Sequence, residues 1–526
     1  MKLEFEQKIV PDSLYEELCF DDFLSWFDLD IPLLPRKILR PMGREKGEEH
    51  FKILQDLQRQ VDEKKLRPEK IISQSQKLPF LDFVLPFYEN RSLEQYHLYS
   101  LGKFVSENLL LEEMEMKSLP ESELSTCCLK IREILQAYTQ KGFSGLRFTT
   151  EEKRLREEIK KSEKEVDSKV SKYEREIYEQ TGLNMIYPYP KEVSRDSDSV
   201  PKILNCEMLS VKPKRDINLI DYQLKPSVKG AIAKKNSLTR DFNQLMKNKL
   251  RKINRELHPH YMEFKRCYEE RKDKTFYYAL LLVKQHQSLC LPTFQVPLGC
   301  RLKNAVLPSL QAQKKEKYIP LNLDLDHGAN VLFGANMTGK TTVLKTLYFQ
   351  LTAIRMGLPL CAESIVLHFP EQVEVHLKSA GNIKWNLSSF GQEIEFFTMN
   401  MSPAAYILVD ELFQSTDPIG GAELSKIILQ EFSARDVVFF CTSHYPEVLN
   451  LQRIQLFRMK DVDFEEKNGA APDLAYLIDS IPYELEKILP ENIGDALQES
   501  KKPLYIALHF PLPESIKERI REKLKG

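Results

Sequence analysis

The sequence predicts an α/β domain built on a parallel sheet, preceded by a mainly helical region that carries a long antiparallel helical arm. Three observations predict this. Apolar runs of strand length, "VLFG", "AYILVDE" and "DVVFFCTSH", recur late in the chain between segments of helical period. Two long charged stretches, each with a thin apolar seam, bracket a Pro-rich segment. A glycine-containing turn, "NVLFGANMTGKTTVL", joins a strand-like run to a helical one.

Residues 1–150 read as an N-terminal region and the first part of an all-helical core, with apolar residues every three or four positions in "HFKILQDLQRQV" and "QYHLYSLGKFVSENLLLEEM". Residues 151–275 read as the arm. Its outgoing helix places Leu155, Ile159, Val166, Val170, Tyr173 and Ile177 at spacings of three, four and seven, and Gly182 ends it. A strand-like tip follows. Helical period is expected to resume near Ser237, with Phe242, Met246, Leu250, Ile253 and Leu257 on one face. Seams this thin need a partner, so the two helices are expected to pair antiparallel. Residues 276–526 read as the α/β domain.

With 526 residues and 42% hydrophobic content, the chain can bury two or three cores. Its 76 basic and 77 acidic residues leave a net charge of −1, so any polyanion binding must come from a local patch. The nine cysteines form no C-x-x-C pair, which argues against a zinc cluster or disulfide scaffold and for a reducing cytoplasm. The start, "MKLEFEQKIV", lacks a basic segment followed by an apolar one, and the run Phe276 to Val283 is too short to span a bilayer. A soluble protein with no membrane contact is expected.

Gly334, Gly339, Lys340 and Thr341 satisfy G-x-x-x-x-G-K-[ST] between the strand "NVLF" and the helical "TVLKTLYFQLTAI". Such a turn aims backbone N–H groups and the positive helix end at phosphate oxygens, and glycines admit close approach. Lys340 is expected to reach the β- and γ-phosphates of ATP, and the Thr341 hydroxyl to ligate Mg2+. The alternative is a chance glycine turn. "AYILVDE" ends in Asp410 and Glu411: Asp410 is expected to hold magnesium through water, and Glu411 to orient the attacking water as general base. A solvated loop start is the alternative there. His444, ending "DVVFFCTSH", either senses the γ-phosphate or caps its strand.

These residues resemble one family, the MutS proteins, ABC-type ATPases of DNA mismatch repair and their relatives. "GANMTGKTT", comprising Gly334, Ala335, Asn336, Met337, Thr338, Gly339, Lys340, Thr341 and Thr342, resembles that family's G-P-N-M-G-G-K-S-T. In family order, "NLSSFGQEIEF" resembles S-T-F-x-x-E-M, and "LVDELFQSTDPIGGAEL" resembles D-E-x-G-x-G-T-S/D. "CTSHYPE" resembles the A-T-H-Y switch, and "IALHFPLPESIKERIREKL" the closing A-x-x-x-G-L-P helix. The resemblance covers Lys225 to the end well, and residues 50–225 only in layout. It implies an ABC-type P-loop domain preceded by an all-α core, or lever, with a clamp-like arm. It also implies that Asn336 binds phosphate, that Tyr318 and Ile319 pack the adenine, and that Ser388 or Ser389 reaches the nucleotide of a second subunit in a homodimer. Phe413-Gln414-Ser415 replaces the glycine-rich part of the signature, and Thr338 a glycine of the loop. The chain has no room for the family's mismatch-reading and connector domains, and so resembles a short form. Phe87-Tyr88-Glu89 matches the F-x-E mismatch wedge but lies in a helical-looking region, where it reads as chance.

The sequence leaves the task of the ATP open. A DNA clamp is expected first, because Lys234, Lys235, Arg240, Lys247, Lys249, Arg251, Lys252 and Arg255 meet only Asp241 among acids. The alternative for that patch is pairing with the acidic outgoing helix. A second reading is a reactivating factor for a cobalamin-dependent lysine or ornithine aminomutase, which short MutS-like proteins also resemble. A third is a ribosome or branched-nucleic-acid rescue factor, since "TDP" resembles the second MutS branch; the stretch after His444 does not read as that branch's small nuclease domain.

Overall fold

Apolar runs without polar interruption can be strands only where both faces are covered. In the computed structural model, Gly328–Phe333, Tyr406–Val409 and Val438–Ser443 are such strands, almost wholly buried. The structure describes residues 1–6, 10–115, 123–295, 298–314, 318–334, 339–377, 389–398, 405–459, 485–489 and 512–525, with isolated positions between 491 and 508. The chain divides into two compact units, Met1–Lys77 with Arg271–Gly526, and Leu78–Glu270. These divisions differ from the boundaries at 150 and 275 that periodicity suggests.

In the first unit a six-stranded sheet runs in the order Val373–His376, Tyr406–Val409, Val438–Ser443, Gly328–Phe333, Gln455–Met459, Leu485–Lys487. The first five strands are parallel and the last antiparallel. Alternate residues Val331, Ile407, Val409, Phe439 and Cys441 pack with Leu429 and Phe432 of the helix Pro418–Ser433. The helix Lys340–Arg355 packs on Val373–His376, Tyr406–Val409 and Val438–Ser443, and is buried on nearly every side. A second, four-stranded sheet has the order Thr293–Phe294, Ser364–Leu367, Gly299–Ala305, Leu321–Asp326.

The N-terminal residues join this unit through aromatic contacts that no local pattern announces. Phe20 stacks on Phe349 at 4.9 Å between ring centroids, and Phe23 meets the same ring edge-on at 5.0 Å. In the helix Arg44–Glu63, Gly47 lies so close to Phe369 that a Cβ would stand 2.1 Å from its ring, so only glycine lets the helix approach.

The second unit is helical apart from the tip of its arm. The outgoing helix Thr150–Thr181 opens with a capping box, in which Thr149 and Glu152 satisfy each other's backbone N–H, and closes at Gly182 with φ of 71°. The returning helix, Pro226–Leu257, begins before Ser237, where periodicity placed it. Its first turns look polar, but Pro226 suits a helix start, and Val228 and Ala231 are buried against the tip. Lys225–Glu176 at 3.0 Å, Lys235–Glu163 at 3.7 Å and the Lys249–Glu152 pair give the antiparallel register. Val166, Val170, Tyr173 and Ile177 of the expected seam are buried; Leu155 and Ile159 are half-buried. The tip is an antiparallel sheet ordered Lys191–Ser194, Ile217–Tyr222, Leu209–Pro213.

Phe87-Tyr88-Glu89 forms part of the short helix Leu85–Glu89. Tyr88 is buried and donates to the Leu257 carbonyl at 2.9 Å, and Glu89 accepts from Tyr261. Tyr88 and Glu89 thus hold helices together, while Phe87 is exposed. No described helix is long and apolar enough to cross a membrane.

Candidate active site

Parallel strands deliver their C-terminal ends to one edge of a sheet, where the following turns can meet. Here three such turns do. After Gly328–Phe333 the chain passes Gly334, at φ of 149°, and re-enters helix at Gly339, at φ of 95°, a backbone position that L side chains rarely adopt. Ala335, Asn336, Met337 and Thr338 lie outside the described residues, as does Ser388.

Lys340 opens the helix, only 5% exposed. Its Nζ donates to the Gly334 carbonyl at 2.6 Å and lies 3.1 Å from His444 Nε2. Burial pulls this ammonium down to about 8, against the opposite pull of the Glu411 and Asp410 carboxylates. A buried cation in a turn of this kind is built to meet an anion.

Thr341 Oγ1 donates to Asp410 Oδ2 at 2.7 Å. Asp410, 3% exposed, follows Tyr406–Val409 and continues the ladder through its N–H to the His376 carbonyl at 2.8 Å. Glu411 adopts φ of 55°, a left-handed conformation costing roughly 1–3 kcal/mol in a residue with a Cβ. The turn keeps it because Glu411 N–H donates to Thr442 Oγ1 at 2.6 Å and Leu412 N–H to the Thr442 carbonyl at 3.0 Å. Its carboxylate lies 3.8 Å from His444 Nε2. With its amide nitrogen turned toward that carboxylate, Gln414 donates to Glu411 Oε2 at 2.5 Å.

Lys340, Thr341, Asp410, Glu411 and His444 are thus brought together from three distant segments. Tyr318 and Ile319 lie in a cleft shared with Gly339, Thr342 and Val343 at the start of the same helix. Ser389 begins the helix Ser389–Phe396 and is exposed; Glu393 of that helix accepts from Ser415 Oγ at 2.7 Å.

Two features escaped the sequence. Thr442 links both carboxylate residues; two positions before His444, it shares that residue's side of an extended chain, and this period was the available signal. The second is the backbone of Phe413, which stands in the glycine-rich part of the resembled signature and keeps φ of 51°. Its carbonyl accepts from Tyr445 OH at 2.8 Å, and Gly421 leaves room for that hydroxyl, 2.2 Å from where a Cβ would sit.

Among the described residues no group of three or more His, Cys, Asp and Glu could hold a metal. The oxygens of Thr341 and Asp410 suit magnesium, which takes few protein ligands and fills its shell with water and phosphate. The donor set therefore fits that ion in company with a nucleotide.

No protein-family model matches the chain. It is 29% identical over 154 residues to Endonuclease MutS2 of Thermotoga petrophila, covering 28% of this chain and 20% of that protein. To Endonuclease MutS2 of Lactiplantibacillus plantarum it is 35% identical over 133 residues, covering 24% and 17%. To that of Carboxydothermus hydrogenoformans it is 28% identical over 259 residues, covering 47% and 30%. The chain therefore spans less than a third of the length of these relatives. The similarity supports a relationship to the MutS family over the matched part, and the relatives' name is that of the second branch likened to Thr416-Asp417-Pro418.

Proposed function

We propose that this chain is a MutS-type ATPase that uses ATP to control binding of DNA by its helical arm. One observation carries the reading: a buried lysine at a helix start faces two carboxylate residues and a histidine at the ends of neighbouring parallel strands. In this reading Gly334 through Thr342 wrap the phosphates, and Lys340 exchanges the Gly334 carbonyl and His444 for phosphate oxygens. Tyr318 and Ile319 pack the adenine in their cleft. Thr341 and Asp410 hold magnesium, which supplies charge neutralisation to the phosphates when bound. Glu411 orients water and takes its proton, and His444 answers to the γ-phosphate. Ser388 or Ser389 reaches the nucleotide of a second copy, so the working form is a dimer. The helical core acts as the lever and the arm as the clamp.

For DNA the support is the returning helix. Lys235 and Lys249 are turned onto acids of the outgoing helix, as the pairing alternative anticipated, but Lys234, Arg240, Lys247, Arg251, Lys252 and Arg255 are exposed. The relatives' name, Endonuclease, favours nucleic acid over an aminomutase partner. The test is the ATPase rate with and without duplex, branched and mismatched DNA at stated salt. Magnesium-dependent hydrolysis accelerated by DNA is expected. Absence of hydrolysis under all these conditions removes the ATPase reading, and hydrolysis indifferent to every DNA removes the clamp.

A further inference from the structure

Thr442 is the last residue but one of the strand Val438–Ser443 and has no exposed surface. A hydroxyl has one hydrogen to give and lone pairs to receive with. Thr442 gives its hydrogen to Asp410 Oδ1 at 2.7 Å and receives Glu411 N–H at 2.6 Å. Its carbonyl receives Leu412 N–H at 3.0 Å. One residue therefore fastens three consecutive residues of the neighbouring turn.

The two hydroxyl bonds act on different things. With Oδ1 held by Thr442, the Asp410 carboxylate is fixed in rotation, and Oδ2 is the oxygen directed at Thr341. With its N–H held, Glu411 stays in the left-handed conformation that brings its carboxylate to 3.8 Å from His444. We propose that Thr442 is a positioning residue for this site: it selects the Asp410 oxygen that meets the cation and holds Glu411 in its water-orienting pose. Valine keeps the shape and loses both bonds, whereas serine keeps both. The inference rests on the ATPase reading given above.

The experiment uses the full chain and a fluorescent ATP analogue, titrated with MgCl2 and also measured in EDTA, alongside turnover at saturating ATP. For Thr442→Val, the magnesium needed for half-maximal tightening should rise about tenfold and turnover fall at least about tenfold, with affinity in EDTA within about twofold of wild type. Thr442→Ser should restore both. Wild-type magnesium titration and turnover in Thr442→Val would overturn the proposal, as would equal impairment in Thr442→Ser, which would assign the effect to packing of the methyl group. If Thr442→Val shows no cooperative melting, Thr442→Ala takes its place with the same criteria. Wild-type protein that binds no nucleotide removes the ATPase reading and this inference with it. Wild-type binding with an unaltered Thr442→Val removes the inference alone.

Discussion

Thr341 Oγ1 donates to Asp410 Oδ2 at 2.7 Å, joining the first turn of a helix to the end of a strand 69 residues away in sequence. The residue before Thr341, Lys340, carries the buried ammonium. Lys340→Ala removes the buried cation while leaving the Thr341–Asp410 bond in place, so ATP affinity should fall by at least about a hundredfold. Calorimetric titration with ATP and magnesium checks this. Unchanged affinity would remove Lys340 from phosphate binding.

Glu411→Gln should separate binding from chemistry. The amide occupies the same volume and leaves the backbone bond to Thr442 intact, but it cannot take a proton from water. Nucleotide affinity should stay close to wild type while turnover falls on the order of a hundredfold or more. A variant that hydrolyses ATP at the wild-type rate would require another base.

Phe413 sets strain against packing. Its φ of 51° favours glycine, and relieving the conformation is worth about 1–2 kcal/mol. Its ring, however, is 1% exposed and lies 5.5 Å from Phe397 and 6.4 Å from Phe390. Emptying such a site costs about 3–5 kcal/mol. Packing wins, and Phe413→Gly should be less stable by about 1–4 kcal/mol, read as a lower Tm. An unchanged Tm would mean that the two effects cancel, and a raised Tm that the backbone strain is the larger.

His50 predicts an acid-sensitive component of stability. Its Nε2 lies 2.9 Å from the Gly357 carbonyl, so in the neutral ring that nitrogen carries the hydrogen. Burial pulls the imidazole down to about 4, the Gly357 bond raises it, and Lys37 lowers it further. In the unfolded chain the group titrates near 6.5, so between about 6.5 and 4 the unfolded state binds the extra proton and folding stability falls. The loss approaches about 3 kcal/mol once the pH reaches 4. His50→Gln keeps a donor for Gly357 and has nothing to titrate. Denaturant unfolding of both proteins at pH 7, 5.5 and 4.5 should show wild type losing ground on acidification, and parallel pH courses would contradict the assignment.

What could be read from the sequence follows from how local each signal is. The strands at Gly328, Tyr406 and Val438, and the residues at their ends, were legible because continuous apolar runs and a glycine turn are short-range patterns. The end of the outgoing helix was legible because Gly182 is a local stop. The start at Pro226 was not, because Val228 and Ala231 are held in helix by packing in the core of the tip, a contact that no helical period registers. Residues 1–150 read as an N-terminal region and the first part of the helical core, and the contacts by which Phe20 and Phe23 meet Phe349 have no sequence period. Thr442 lies in the strand-like run "DVVFFCTSH", and its hydroxyl acquires meaning only from Asp410 and Glu411 across the sheet.

The returning arm helix offers the last test. Arg240, Lys247, Arg251 and Arg255 are exposed and recur at spacings of seven, four and four, which puts them on one stripe about 22 Å long. Seam residues Ile253 and Leu257 lie on the opposite side and are buried. A stripe of this kind can follow a line of phosphates, and each phosphate that is no longer neutralised lowers the slope of log affinity against log salt by about 0.9 for duplex DNA. Lys247→Glu with Arg251→Glu should therefore weaken duplex binding and flatten its salt dependence by about two units, read by fluorescence anisotropy between about 50 and 200 mM salt. Lys235→Ala should change DNA affinity little, because that side chain already faces Glu163. If the double variant binds duplex DNA with wild-type affinity and wild-type salt slope, the stripe is a solvated helix face and DNA is held elsewhere.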